Sequence, residues 1–68
     1  MLFRSGAVAA LVRTLDDENR AVQINACMAM AALGAEAREA LPALRRRLND
    51  PVIGKHAELA LSSIAPTE

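Results

Sequence analysis

The chain has 68 residues with a 53% hydrophobic but only 1% aromatic composition, and eight basic residues balance eight acidic ones. A chain this short forms one domain at most, and its zero net charge excludes a global field that would attract nucleic acid or an anionic membrane. It has no apolar run of the roughly 20 residues that span a bilayer and no signal-peptide pattern, so we expect a cytoplasmic protein.

The first six residues do not share the pattern that follows. We expect residues 1–6 to be a disordered or non-native N-terminus, either an ordinary frayed end or a cloning scar on a truncated reading frame. Apolar residues then recur with helical spacing and predict a first helix over residues 7–15, with a buried row of Val8, Leu11, Val12 and Leu15.

The second predicted helix covers residues 20–33 and carries a stripe with small residues at its centre. The stripe consists of Val22, Ala26, Ala29, Met30 and Leu33. Asn19 is the predicted N-cap, and the acidic residues before it complement the positive end of the helix. Gly34 is predicted to end the helix in a left-handed conformation, which costs glycine nothing.

Two further helices are predicted, over residues 36–48 and 51–64. Pro42 either kinks the third helix or begins its regular part, in which case residues 35–41 form a looser turn. Asp50 is predicted to cap the fourth helix, with Pro51 at its first position. The predicted buried rows are Ala37, Leu41, Leu44 and Leu48 in the third helix, and Ile53, Ala57, Ala60, Leu61 and Ile64 in the fourth.

The two halves of the chain carry the same pattern. Leu11 matches Leu44 and Asp17 matches Asp50 at one common offset in sequence number (44−11 = 50−17 = 33). After the turn the offset becomes 31, as Val22 matches Ile53 (53−22), because the second copy has lost two turn residues. A helical-hairpin period in the low thirties is typical of an α-solenoid. We therefore predict an all-α fold of two stacked hairpins.

The repeated unit resembles the HEAT repeat, in particular the short HEAT-like repeats of bacterial proteins and phycobilisome-lyase relatives. The resemblance rests on V22-x-x-x-A26-x-x-A29-M30-A31-x-L33-G34 after A10-L11-x-x-x-L15-x-D17, and on the second copy, A40-L41-P42-A43-L44 to I64. It implies a single domain over residues 1–68, with repeat 1 at residues 7–34 and repeat 2 at residues 35–65. Three residues depart from the HEAT-like pattern. Gln23 and Gly54 stand where an arginine is usual, and Ala65 stands where the closing glycine is usual.

Two repeats bury little surface, because at least three are usually needed for a stable array. We therefore expect a fragment of a longer array, or a chain that associates with itself or with a partner. The resemblance implies a non-catalytic scaffold module whose partner is a protein or adjacent repeats. The alternative is a fragment of a HEAT-like lyase or hydroxylase subunit with its catalytic residues outside this chain.

The candidate partner-binding face lies opposite the apolar stripe of the second helix. In the solenoids that this chain resembles, the second helix of each hairpin lines the concave face. The resemblance therefore assigns to this face Ile24, Met28, Ala31, Lys55 and Leu59. Methionine can adapt its shape to a partner. The other interpretation is that this row packs on a neighbouring hairpin or is exposed by chance.

No constellation for catalysis, cofactor binding or metal binding is expected, and no small-molecule substrate. His56 and Glu58 are two residues apart and point about 200° apart on a helix, so they cannot hold one metal ion together. Cys27 has no basic residue one turn away and is expected to be a packed or half-exposed thiol. Arg45 to Arg47 fan out around a helix end, so nucleic-acid binding is not expected.

Overall fold

The computed structural model describes the backbone of residues 2–66 and the side chains of residues 6–66. In this part of the chain every regular element is helical. The elements are α1 (Leu2–Thr14), α2 (Arg20–Leu33), a 3-10 segment (Gly34–Ala40), α3 (Leu41–Arg46) and α4 (Gly54–Ile64). Helices α2 and α4 make the most extensive contact in the fold. The prediction that the second helices of two hairpins stack side by side is confirmed.

Helix α1 begins at Leu2, earlier than the predicted start at residue 7. The backbone of residues 2–6 therefore continues the first helix. Met1 and the side chains of residues 2–5, on which the prediction of a disordered or non-native terminus also depends, lie outside the described residues.

The two predicted ends of α2 are confirmed. The Asn19 side chain accepts hydrogen bonds from the N–H groups of Ala21 and Val22, at 2.8 and 3.3 Å. Gly34 has the positive φ that was predicted, 62°, but its ψ of −135° lies outside the left-handed helical well. Its N–H donates to the carbonyls of Met30 and Ala31, so the glycine closes the last turn of the helix.

The third predicted helix is divided in two. Residues 34–40 form the 3-10 segment, in which Ala37 departs from helical geometry, and regular α3 starts only at Leu41. Pro42 lies in the first turn of α3. The N–H groups of a first turn have no partner within the helix, so a proline costs no hydrogen bond there. Of the two alternatives for this proline, the start of the regular helix is the correct one.

Helix α4 starts at Gly54, later than the predicted start at residue 51. The Asp50 carboxylate accepts the N–H groups of Val52 and Ile53 at 2.7 and 3.0 Å, as the predicted cap should. However, these bonds hold residues 51–53 in a turn before the regular helix. The Gly54 N–H donates to the Asp50 carbonyl at 3.0 Å, and regular helix continues from there.

The core is made mainly of small and medium apolar side chains. Its buried hydrophobic residues are Val8, Leu15, Ala26, Cys27, Met30, Ala37, Ala40, Leu41, Ala43, Leu44, Ile53, Ala57, Ala60 and Ile64. The prediction for Leu48 is wrong, since it is 42% exposed while its counterpart Leu15 is buried. Leu48 lines an open groove between α3 and α4, so its side chain stays in contact with solvent.

The buried side of α2 is also rotated from the predicted stripe. Val22, Ala29 and Leu33 are only half-buried, while Gln23 and Cys27 are buried. Cys27 and Ala29 lie about 200° apart around the helix, because each residue advances it by about 100°. The buried side of α2 thus includes Gln23, Cys27 and Met30, and the side that carries Ala29 is partly open.

Candidate partner-binding face

The predicted face lies on the two central helices. We define the α2–α4 face as Ile24, Met28 and Ala31 of α2 together with Lys55 and Leu59 of α4. Met28 is 58% exposed and Leu59 is 65% exposed, although both side chains are large and apolar. They occupy matching positions in the two repeats, at the offset of the second helices (59−28 = 31). The packing of α2 against α4 therefore places both on one helical layer.

The other three members of the face differ in exposure. Lys55 is exposed and Ile24 is half-buried, and these two are again a matching pair (55−24). Ala31 is half-buried and packs partly against the core. The face is thus apolar at Met28 and Leu59, with a cation at one edge.

Gln23 is a structural residue that the apolar spacing of the sequence did not identify. It is only 6% exposed. Its Nε2 donates to the carbonyls of Leu15 and Asp17, at 3.0 and 2.7 Å, and thereby fastens α2 to the loop before it. The only signal in the sequence was that this residue departs from the arginine usual in the family that the chain resembles.

Gly54 is the counterpart of Gln23 in repeat 2 (54−23 is 31). A Cβ atom at this position would lie 2.6 Å from the carbonyl oxygen of Leu48. Leu48 is itself the counterpart of Leu15 (48−15 is 33), the residue whose carbonyl Gln23 binds. The backbone of Leu48 therefore lies in the space that a side chain at position 54 would need.

Arginine side chains join the two interhelical loops. Arg20 donates from one guanidinium nitrogen to Asp50 Oδ2 at 3.0 Å and to Gln23 Oε1 at 3.1 Å. Arg47 of repeat 2 in turn forms an ion pair with Asp16 of repeat 1. The N–H groups of Ile53 and Val52, assisted by Arg20, hold the pKa of Asp50 below its ordinary value. Both ion pairs link repeat 1 to repeat 2.

Cys27 is fully buried. Burial raises the pKa of its thiol, and the nearby positive charge of Arg47 opposes that effect without reversing it. The sequence did not indicate this arginine, because it comes from the end of α3, in the other repeat. A buried thiol with a raised pKa is a poor nucleophile.

The three consecutive arginines separate as predicted. Arg46 is exposed, Arg47 pairs with Asp16, and Arg45 lines a groove between α3 and α4. This groove has a volume of about 340 Å³, and its lining includes Leu41, Arg45, Leu48, Glu58, Leu61 and Ala65. The arginines therefore make no common basic patch.

His56 is half-buried and Glu58 is exposed, both on α4. Among the described side chains, those of residues 6–66, no group of three or more histidine, cysteine, aspartate or glutamate residues is arranged to hold a metal ion. In the same part of the chain, no helix has both the length and the apolar character needed to cross a membrane.

One comparison with known proteins gives a match. A family model described as HEAT repeats matches residues 3–64. No match was found among curated proteins or among solved structures. The matched range includes nearly all of both hairpins and every residue of the α2–α4 face.

Proposed function

Because the chain belongs to the HEAT repeat family, we propose that it is a non-catalytic protein-interaction module that binds its partner on the α2–α4 face. HEAT repeats generally mediate contacts between proteins, and this supports the class of function. The observation that carries the choice of surface is the matched exposure of Met28 and Leu59. Both helices present a large apolar side chain to solvent at the same position of the repeat.

The chemistry of this face defines the partner that it fits. Met28 and Leu59 would be buried by apolar side chains of the partner, and the flexible Met28 can adjust to their shape. Lys55 at the edge of the face favours a partner with an acidic group beside its apolar residues. The non-catalytic assignment is supported by the buried thiol of Cys27 and by the separation of His56 from Glu58 on α4.

The test is a comparison of partner capture by three variants. Met28→Asp and Leu59→Asp each place a charge in the face, and Val52→Asp is the matched control, because Val52 is 46% exposed but lies outside the face. Proteins retained from a lysate of the source organism are quantified for each variant, and the retained protein is then purified for calorimetry. Burial of one such side chain is worth roughly 1.5–3 kcal/mol, so each face variant should weaken binding about 10- to 100-fold.

The control defines the result that contradicts the proposal. Val52→Asp should bind like the unmodified chain, and all three variants should unfold at a similar temperature, because exposed substitutions change stability by about 0.5 kcal/mol or less. Equal binding by Met28→Asp and the unmodified chain would show that the partner contacts another surface. Turnover of a substrate by the purified chain would overturn the non-catalytic assignment.

A further inference from the structure

Three sulfur atoms lie close together in the sequence of α2. They belong to Cys27, Met28 and Met30. Cys27 and Met30 are fully buried, whereas Met28 is 58% exposed. Because each residue advances an α-helix by about 100°, Cys27 and Met30 lie about 60° apart, and Met28 lies about 100° or more from both. An oxidant dissolved in water therefore meets the sulfur of Met28 before the other two.

Burial reverses the order in which these side chains would react with a peroxide in an unfolded chain. There the cysteine would be oxidised first, because its thiolate is the strongest nucleophile of the three. In the folded chain Cys27 is closed from solvent, and burial raises the pKa of its thiol, so less thiolate forms. The exposed thioether of Met28 is then the first of these sulfurs to react, since oxidation also follows exposure.

The reaction at Met28 transfers one oxygen atom. A lone pair of the thioether sulfur attacks an oxygen of hydrogen peroxide, so an S–O bond forms as the O–O bond breaks. The other oxygen leaves with both protons as water, and the sulfur is oxidised by two electrons. Methionine sulfoxide reductases return the sulfoxide to the thioether. That return oxidises two thiols to a disulfide and releases the oxygen as water.

The sulfoxide would form on the α2–α4 face. Met28 and Leu59 are the two large apolar side chains that this face exposes. Oxidation makes Met28 polar and leaves Leu59 unchanged, since leucine has no sulfur. An apolar partner that covered the sulfoxide oxygen would remove its hydrogen bonds to water, and an unpaired polar group is costly to bury. Oxidation of Met28 therefore opposes binding of an apolar partner at this face.

Repeat 2 has leucine where repeat 1 has methionine. Leu59 is the counterpart of Met28, and Leu61 is the counterpart of Met30 (59−28 = 61−30). Exchange between leucine and methionine nearly conserves volume and usually costs little stability. The repeat therefore accepts leucine at both positions. Met28→Leu is a matched variant that keeps a large apolar side chain on the face and cannot form a sulfoxide there.

We propose that Met28 is a reversible oxidation site on the α2–α4 face. A hydroperoxide converts its thioether to a sulfoxide before it oxidises Cys27 or Met30, and the chain stays folded because the core is not altered. The sulfoxide lowers the affinity of the face for its partner, and this consequence rests on the proposed function. The choice of Met28 as the oxidised residue does not rest on it, so the two can fail separately.

Peptide mapping tests the oxidation site without a partner. The purified chain is treated with dilute hydrogen peroxide at neutral pH, in buffer and in enough urea to unfold it. Cleavage after arginine gives the peptide of residues 21–38, which carries the three sulfurs and excludes Met1. In buffer, Met28 should be oxidised about tenfold or more faster than Met30 and ahead of Cys27, since buried groups react only when the structure opens. In urea, Cys27 should react first and the two methionines at equal rates.

Retention of the folded chain on a phenyl column measures the change in the face. The oxidised chain should elute earlier than the untreated chain, with an unchanged circular dichroism spectrum. Dithiothreitol with reductases for both sulfoxide epimers should restore its retention. Met28→Leu is the control, and peroxide should leave the retention of this variant unchanged.

The partner purified in the capture experiment supplies the last comparison. Oxidation should weaken its binding to the unmodified chain about tenfold or more, because the contribution of one buried apolar side chain is lost. Its binding to Met28→Leu should not change on treatment with peroxide. This comparison separates the sulfoxide at Met28 from any oxidation elsewhere in the chain.

Several results would overturn the inference. In buffer, oxidation of Cys27 or Met30 as fast as that of Met28 is one. A sulfoxide at Met28 that leaves the column retention unchanged, or that unfolds the chain, is another. Binding that Met28→Asp weakens and oxidation does not would overturn the inference and leave the proposed function standing. Binding that neither change weakens would overturn the proposed function and the effect on affinity, while the mapping still decides the oxidation site.

Discussion

The substitution Gly54→Ala tests how closely the backbone of Leu48 approaches α4. In Gly54→Ala the new Cβ would lie 2.6 Å from the Leu48 carbonyl oxygen and 3.6 Å from that of Arg47. Since ordinary contacts begin at about 3.4 Å, backbone must move by nearly an ångström, and overpacking of this kind costs about 1–3 kcal/mol. The better helix propensity of alanine returns at most about 1 kcal/mol. We expect a net destabilisation of up to about 2 kcal/mol.

Gly6→Ala is the matched control for this substitution. Gly6 is also a helical glycine, but a Cβ there would meet nothing within 4 Å. It should therefore stabilise the chain by about 0.5–1 kcal/mol. Urea denaturation followed by far-ultraviolet circular dichroism measures both changes. If Gly54→Ala were as stable as Gly6→Ala, the close approach of Leu48 to α4 would not exist.

Lengthening the loop tests the cause of the close approach. Replacing Pro51 and Val52 by Glu-Asn-Arg-Ala, the sequence at residues 18–21, restores the loop length of repeat 1. In repeat 1 the carbonyl of Leu15 lies far enough away for a glutamine side chain to bind it at 3.0 Å. Gly54→Ala should therefore lose its effect in the lengthened loop. An undiminished effect would mean that something other than loop length positions Leu48.

Three further predictions concern the interior and the loops. Gln23→Ala should destabilise the chain by about 1–3 kcal/mol in a urea titration, because it removes the donor to two carbonyls. Asn25→Ala, on the exposed side of α2, is the control and should be nearly neutral. Because the pKa of Asp50 is lowered in the folded chain, its ionised carboxylate contributes to the free energy of unfolding above about pH 4. This contribution is lost as the pH falls through the pKa that Asp50 has in the folded chain. Unfolding titrations from neutral to strongly acidic pH should therefore show a steeper loss for the unmodified chain than for Asp50→Asn. Cys27 should react with a thiol reagent only after urea unfolds the chain, and rapid labelling in buffer would contradict its burial.

The sequence determined the class of fold because its signals are local and repeated. The spacing of Val8 and Leu15, the cap at Asn19 and the glycine at position 34 each depend only on neighbours along the helix. The constant offsets between the two halves then required the second helices to stack, as they do. Helical spacing also placed Met28 opposite the apolar stripe of α2, and Met28 is exposed. Its assignment to a partner-binding face came from the resemblance and stays a prediction.

Only the tertiary structure decided which side of each helix is covered, because that depends on the neighbour that packs there. Helical spacing provides no reason to bury Gln23 or to expose Leu48. The burial of Gln23 depends on two loop carbonyls, and the exposure of Leu48 depends on the open groove that it lines. The same holds for Gly54, where a side chain is excluded by the Leu48 carbonyl oxygen, a contact that helical spacing does not reveal. Periodicity specifies that a helix has an apolar side, and the stacking of the hairpins determines how much of that side is closed from water.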